Sequence, residues 1–326
     1  MLNRILQLKL SIEHCSIIFL CGVGVASLLP LGHSWSWFCG LFDHFRIHYV
    51  VICGVIMGMS IWKKQWKMLL ASFSLAALNM TFIAPWNWHF SQPIDDSTSG
   101  TSAPKMTFLW ANVSTSNRSF ETFLKYVQAQ DVDVILLAEV DQAWVEALNP
   151  LNEDWTYKIF SPREDNFGMA VYSKIPFEND RILSFEAFEV PAIQFQLNHP
   201  SGHDVSIFAV HPVPPIGRRY TQSRDAYLDG LSRHLSGTTR PRFIIGDFNA
   251  TPWHAPVRQL IQQGRLDYIP PDPGWFPNTW PSSLLPVGIP IDLCLADVSK
   301  LKIQIQRGPD IGSDHRPLVG RMYFVE

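Results

Sequence analysis

Three long stretches almost free of charge occupy most of the first hundred residues, and they limit what this part of the chain can fold into. Ile12 to Leu29 holds only Glu13, close to its edge, and His14 among apolar and small residues; Tyr49 to Trp62 and Met68 to Pro85 hold no charged residue. A helix needs about 20 apolar residues to cross the hydrocarbon core of a bilayer, with about 17 as the lower end. The first and third stretches meet this, and the second does so if it begins near Phe45 and tolerates Arg46 at its edge. A cleaved signal peptide would account for the first stretch but not for the two that follow. The reading is three transmembrane helices within residues 1–90, with a buried helical subdomain as the alternative.

Basic residues set the expected orientation, because lysine and arginine gather on the cytoplasmic side. Arg4 and Lys9 precede the first stretch, and Lys63, Lys64 and Lys67 separate the second from the third. The other flanks hold only Arg46 and then no basic residue until Lys105. Three spans then place everything after Pro85 on the extracytoplasmic side, periplasmic if the source is a Gram-negative bacterium. Trp86, Trp88 and His89 suit an interfacial aromatic belt, and a Ser/Thr/Pro/Gly-rich linker runs over residues 91–104, before a second domain at 105–326.

That second domain holds one cysteine, Cys294, so it forms no internal disulfide. It does not need one, since roughly 220 residues can bury a full core. Of the chain's 26 basic and 29 acidic residues, six and four precede residue 101, which leaves the second domain with 20 and 25. It lacks the overall basic excess on which non-specific DNA binding rests, although Arg218, Arg219 and Arg224 offer a local patch.

From Met106 onward short strands alternate with amphipathic helices. Strands are predicted at Met106–Val113, Val132–Val140, Gly168–Ser173, Ile193–Leu197, Val205–Val210, Arg242–Ile245, Ile291–Ala296 and Leu318–Phe324. Helices are predicted at Ser119–Gln130, Tyr220–Leu235 and His254–Gln263. Many strands with few helices between them argue for a layered α/β sandwich rather than a doubly wound sheet.

Polar residues interrupt or end these apolar runs. In Phe243-Ile-Ile-Gly-Asp-Phe-Asn249, Asp247 and Asn249 are two apart at a strand end, so an acceptor-only carboxylate and an amide face one spot. Asn112 lies near the end of the first strand, Glu139 ends Ile135-Leu-Leu-Ala-Glu139, His211 ends Ile207-Phe-Ala-Val-His211, and Asp292 opens a strand within Pro290-Ile-Asp-Leu293. Gly312-Ser-Asp-His-Arg-Pro317 adds Asp314 and His315 before the last strand. An acid such as Glu139 in so apolar a run is costly to bury unless it is paired or binds a cation. Each feature alone has a plainer reading: Asn112 as a turn residue, Asp247 with Asn249 as an Asx-type turn, Asp292 as a partner for a backbone amide. Asn117 suits the start of a helix. His199, His203, His234 and His254 show no zinc-like spacing and read as solvated. Trp275, Phe276 and Trp280, in a proline-rich loop, suit the rim of a site, a position on the membrane or ordinary packing.

Taken in order, Asn112, Glu139, Asn166-Phe-Gly-Met-Ala-Val-Tyr-Ser-Lys174, His211, Gly246-Asp-Phe-Asn249, Ile291-Asp292 and Ser313-Asp-His315 resemble the endonuclease/exonuclease/phosphatase superfamily over about Met106 to Phe324. The resemblance implies a DNase I-like, four-layer α/β sandwich, here preceded by three transmembrane helices. It implies that Glu139, Asn112 and Asp314 hold Mg²⁺, with Mn²⁺ as a substitute. Asp247 would orient or deprotonate the attacking water, Asn249 would donate to the phosphoryl oxygen, and His211 would support the leaving group. His315, held in one tautomer by Asp292, would stabilise or protonate the phosphoryl group.

The function expected is a membrane-anchored, metal-dependent phosphoesterase, a nuclease or phosphodiesterase acting outside the cytoplasmic membrane. Its substrate would be a nucleic acid, a lipid headgroup or a small phosphodiester, because the fold does not fix substrate. A lipid-headgroup or small-molecule phosphodiesterase or phosphatase of the same fold is the alternative. A catalytically silent membrane-bound binding protein is the alternative of another class, and it has no physical reason to keep every metal and acid–base group.

Overall fold

The computed structural model describes residues 12–33, 35–83, 105–198, 204–239, 241–272 and 277–324. Arg4, Lys9, Trp86, Trp88, His89, the 91–104 linker, His199, His203, Trp275 and Phe276 lie outside these residues. The chain divides into two compact units, Met1–Pro85 and Trp86–Glu326.

The first unit is helical. Its α-helices are α1 (Ile12–Leu28), α2 (Trp37–Leu41), α3 (Arg46–Trp62) and α4 (Trp66–Ile83), with short 3-10 turns on either side of α2. Three segments, His14–Gly32, Trp37–Trp62 and Trp66–Ile83, are long and apolar enough to cross a membrane. The second is longer than the uncharged run alone, because the helical path continues back through Arg46 to Trp37. Arg46 is tolerated there by being buried and paired: it forms an ion pair with Asp43, donates to Asn79 Oδ1 of α4 at 3.1 Å, and lies 3.7 Å over the Phe82 ring. Asn79 in turn donates to Ser27 Oγ of α1 at 2.8 Å, so one polar chain links all three long helices.

The second unit contains, among the described residues, two six-stranded sheets. Its strands are β1 (Lys105–Asn112), β2 (Val134–Ala138), β3 (Tyr157–Ser161), β4 (Met169–Ser173), β5 (Phe177–Ser184), β6 (Pro191–Asn198), β7 (Asp204–Val210), β8 (Arg242–Asp247), β9 (Asp267–Tyr268), β10 (Asp292–Ala296), β11 (Leu301–Arg307) and β12 (Leu318–Phe324). One sheet runs β11-β12-β1-β2-β4-β3 and the other β5-β6-β7-β8-β10-β9. The side chains between them, including Phe108, Leu136, Val171, Phe195, Ile207, Phe243 and Ile245, form the main core. Helices α5 (Phe120–Gln130) and α6 (Gln142–Ala147) bury Phe123, Val127 and Trp144 in a second core with Leu109, Ile135 and Tyr172. Helices α7 (Arg218–Leu235) and α8 (Ala255–Gly264) bury Leu228, Leu231, Val257 and Leu260. This is a DNase I-like α/β sandwich.

Strands β3, β5 and β11 were not legible as apolar runs. β5 reads Phe-Glu-Asn-Asp-Arg-Ile-Leu-Ser and is exposed along most of its length, and all three lie at sheet edges, where polar side chains are the rule. Asn117 acts just before α5, its Oδ1 accepting from Ser119 N at 2.9 Å, while the residue at the N-cap position is Ser119.

Candidate active site

Strand ends from both sheets carry the polar groups. In one sheet, β1 and β2 are parallel with Asn112 beside Ala138, so Asn112 and the following Glu139 emerge together. In the other, β7 and β8 are parallel with Val210 beside Gly246, and β10 runs antiparallel to β8 with Asp292 directly opposite Asp247. His211 therefore leaves its strand next to Asp247. The glycine before Asp247 is dictated by this approach, since a Cβ at Gly246 would sit 2.0 Å from Val210 O. Glu139 and Asn249 adopt left-handed φ values of 59° and 48°, a backbone cost that turns their side chains out of the strand direction.

The last segment closes the site. Gly312, at φ 86°, starts a turn whose Ser313 Oγ donates to Asn112 O at 2.8 Å and accepts from His315 N at 3.1 Å. His315 Nδ1 then lies 2.8 Å from Asp292 Oδ2, and Trp110 Nε1 donates to Asp292 Oδ1 at 2.9 Å from the opposite sheet. With Asp292 accepting at Nδ1, that nitrogen carries a proton and Nε2 faces the site. His315 Nε2 and His211 Nε2 are each 3.6 Å from Asp247 Oδ2, too long for direct hydrogen bonds, and His211 Nε2 is 4.0 Å from Glu139 Oε1.

Asn112 donates from Nδ2 to Glu139 Oε1 at 2.9 Å and to Asp247 Oδ2 at 3.2 Å, while its carbonyl accepts from Ser114 N at 3.1 Å. Its amide nitrogen, not its oxygen, faces the carboxylates. Asn249 N donates to Asp247 Oδ1 at 2.9 Å, and Asn249 Nδ2 donates to Pro212 O at 2.9 Å, which leaves one amide proton. Asp314 is exposed and accepts from Trp280 Nε1 at 3.0 Å, which sets Trp280 beside the site.

Burial raises Asp247 well above the usual carboxylate range, against the attraction of His315. Burial alone would depress His315, but Asp292 and Asp247 lift it to about 10. Burial also pushes Asp292 upward, yet the charge and hydrogen bond of His315 hold it below its ordinary value. Glu139 is raised by burial, with Asp314 adding to the rise. Burial drives His211 down, so its ring is neutral. The site thus gathers four carboxyl groups, Glu139, Asp247, Asp292 and Asp314, around one imidazolium.

That imbalance fits a divalent cation. Asp247, Asp292 and His315 offer ligand atoms within 4.8 Å of one another, but the Asp292 oxygens accept from Trp110 and His315, and His315 Nδ1 is spent on Asp292. Glu139 is the better ion holder: its side chain is partly open, and among the described residues its oxygens accept hydrogen bonds from Asn112 Nδ2 and Thr115 N, with His211 Nε2 4.0 Å away. Oxygen donors with room for water suit Mg²⁺.

Some groups that shape the site carry no signal of it in the sequence. Trp110 reads as one more apolar strand residue, and Thr279, whose Oγ1 accepts from Asp292 N at 3.2 Å, lies in an irregular loop. Arg224 is not part of a surface patch: it is buried, donates to Asn249 O at 3.2 Å and meets His254 Nε2 at 2.8 Å. His254 is buried rather than solvated, and His234 is partly buried against Gln194.

Known proteins share this architecture. The human Nocturnin catalytic domain with bound sulfate anion is 20% identical, with a TM-score of 0.56 over 68% of this chain and 96% of that chain. D. rerio TDP2 complexed with single-strand DNA product is 14% identical, with a TM-score of 0.54 over 67% and 98%. A Staphylococcus aureus beta toxin mutant with bound magnesium ions is 12% identical, with a TM-score of 0.53 over 66% and 99%. No curated protein matches in sequence. Residues 109–315, more than half of the chain and spanning every strand end described above, match the Endonuclease/Exonuclease/phosphatase family, and the chain belongs to that family.

Proposed function

We propose that this chain is a membrane-anchored, metal-dependent phosphodiesterase whose catalytic domain, residues 105–326, acts on the extracytoplasmic side. The family consists of hydrolases acting on phosphoester bonds. The observation that carries the finer reading is the buried row Asp292–His315···Asp247···His211, with Glu139 at its open side. A protein gains nothing in stability from crowding carboxyl groups there. Three helices long enough to span, with Lys63, Lys64 and Lys67 between the second and third, support a membrane domain over residues 1–90 and a linker at 91–104.

Mg²⁺ held by Glu139, with Asp314 nearby, would polarise the phosphoryl group and offset its charge. Asn112, whose amide nitrogen faces Glu139 and Asp247, holds those two carboxylates at fixed separation. Asp247 accepts the proton of the attacking water, and Asn249, fixed through Asp247 and Pro212, donates its remaining amide proton to the phosphoryl oxygen. His315 enters as an imidazolium kept charged by Asp292 and presents Nε2–H to the phosphoryl group. His211, neutral and buried beside the Phe167 ring, supports the leaving oxygen.

The test uses the full chain purified in detergent, with Mg²⁺, on an aryl phosphodiester, single- and double-stranded nucleic acid, a lipid phosphodiester and a phosphomonoester. Metal-dependent turnover of a diester, lost in Asp247→Asn, is expected. Turnover of monoesters alone would replace the phosphodiesterase reading with a phosphatase. A reporter active only outside the cytoplasm, fused after Glu326, checks the orientation.

A further inference from the structure

A second cavity, of about 470 Å³, lies at the end of the β5–β8 sheet remote from Asp247. Strand register places it: Gln194 and Gln196 of β6 pair with Phe208 and Ser206 of β7, and Ser206 pairs with Arg242 at the start of β8, whereas Asp247 ends that strand. Being two residues apart on a strand, Gln194 and Gln196 face the same side. A bulge in β5 between Glu178 and Arg181, with Asn179 at φ 53°, brings Asn179 and Arg181 to the same wall. The opposite wall is the C-terminal end of α7 and the turn after it, with His234 and Thr238.

The polar atoms of this lining are unevenly satisfied. His234 Nε2 and Gln194 Oε1 are 2.7 Å apart, and Asn179 Nδ2 donates to Gln196 Oε1 at 2.7 Å. Both glutamine carbonyls are thereby used, while both amide nitrogens remain without a partner among the described residues. Gln194 is 8% exposed and its carbonyl is held by His234, so its side chain is fixed in place at the cavity. The Arg181 guanidinium is exposed and has no ion-pair partner among the described residues, and among them no acidic side chain lines the cavity. The lining is therefore rich in donors and carries one uncompensated positive charge.

We infer that this cavity is a second binding site, for a phosphate-like oxyanion, in which Arg181 supplies the charge and a forked pair of N–H groups. A planar guanidinium meets two oxygens of such an anion at once, and the Gln194 and Gln196 amides with the Thr238 hydroxyl meet the others. The group is either a soluble anion or the headgroup phosphate of a lipid, which present the same oxygens. The site is separate from the hydrolytic one and does not depend on its reaction.

Isothermal titration of the full chain in detergent, with chelator present and inorganic phosphate as probe, tests the inference. Wild type should bind, Arg181→Ala should bind at least about tenfold more weakly, and Arg181→Lys should fall between, because it keeps the charge and loses the fork. Both variants should hydrolyse an aryl phosphodiester at the wild-type rate once Mg²⁺ is restored. No binding, or equal binding by wild type and Arg181→Ala, overturns the site. Repeating the titration in nanodiscs of phosphatidylcholine with and without phosphatidic acid assigns the source. Loss of the phosphate signal only with phosphatidic acid supports a headgroup; equal signals in both support a soluble anion.

Discussion

The helical unit and the sandwich bury opposite kinds of side chain. In the helices, Ile18, Phe19, Leu70 and Phe73 face outward while Ser27, Arg46, Ser72 and Asn79 are buried. In the sandwich, the aliphatic and aromatic side chains fill the space between the sheets, and polar groups concentrate at strand ends. The first arrangement is the one a lipid solvent would favour, where apolar surfaces gain nothing by leaving the solvent and small polar contacts hold helices together. Water selects the second. The two units also treat buried charge differently. Arg46 is answered by Asp43 and Asn79, whereas the strand ends of the sandwich hold more carboxyl groups than cations.

The contrast in charge breaks first under chelation. Excess chelator should abolish phosphodiester hydrolysis and Mg²⁺ or Mn²⁺ should restore it, while far-ultraviolet circular dichroism stays unchanged; full activity in chelator would remove the metal from the reading. Arg46→Ala leaves Asp43 buried without its cation and should cost the helical unit about 3 kcal/mol or more. Thermal unfolding in detergent measures the loss, and activity per folded molecule should be untouched. If hydrolysis falls in step, the two units do not separate function as proposed.

Asp247→Asn keeps shape and should lower kcat by at least about 10²-fold, roughly 2.7 kcal/mol, with little change in KM and little change in Tm. His315→Ala should cost a comparable factor, and the double variant should fall short of the product of the two losses, since both groups act on one transition state. Steady-state kinetics that leave the single variants within about threefold of wild type would make these residues structural.

The smallest effect is a change of slope with pH. The pKa of His315 is raised in the fold, so its pairing stabilises fully below the unfolded value near 6.5 and is lost as pH rises towards about 10. The midpoint of unfolding, measured from pH 6 to 10 with chelator present, should therefore fall less steeply in His315→Gln than in wild type. Parallel curves would mean that the imidazolium–carboxylate pair does not contribute.

Much of this architecture was legible in advance. The uncharged runs announced three long helices, the strand and helix pattern announced a layered α/β sandwich, and the family resemblance of the motifs from Asn112 to His315 implied its DNase I-like form; all are present. The edge strands escaped because β5 carries the charged and polar residues of an exposed edge, which resemble a loop. Arg224 escaped for the opposite reason. An arginine close to two others reads as a surface patch until α7 turns it inward onto the Asn249 loop.

The sequence by itself determined the local quantities: which runs are apolar enough for a bilayer, which alternate as strands, and which acids and histidines interrupt them. Those depend on composition and periodicity within a few residues. Only the tertiary structure decided that Asn112 turns its amide nitrogen towards Glu139 and Asp247, that Trp110 reaches Asp292 from the other sheet, and that Gln194 and Arg181 line a second cavity. Trp110 and Asp292 are 182 residues apart in the chain, and Asn112 and Asp247 are 135 apart. The energy of a hydrogen bond depends on distance and angle between its two atoms, and chain separation specifies neither until the two sheets have packed.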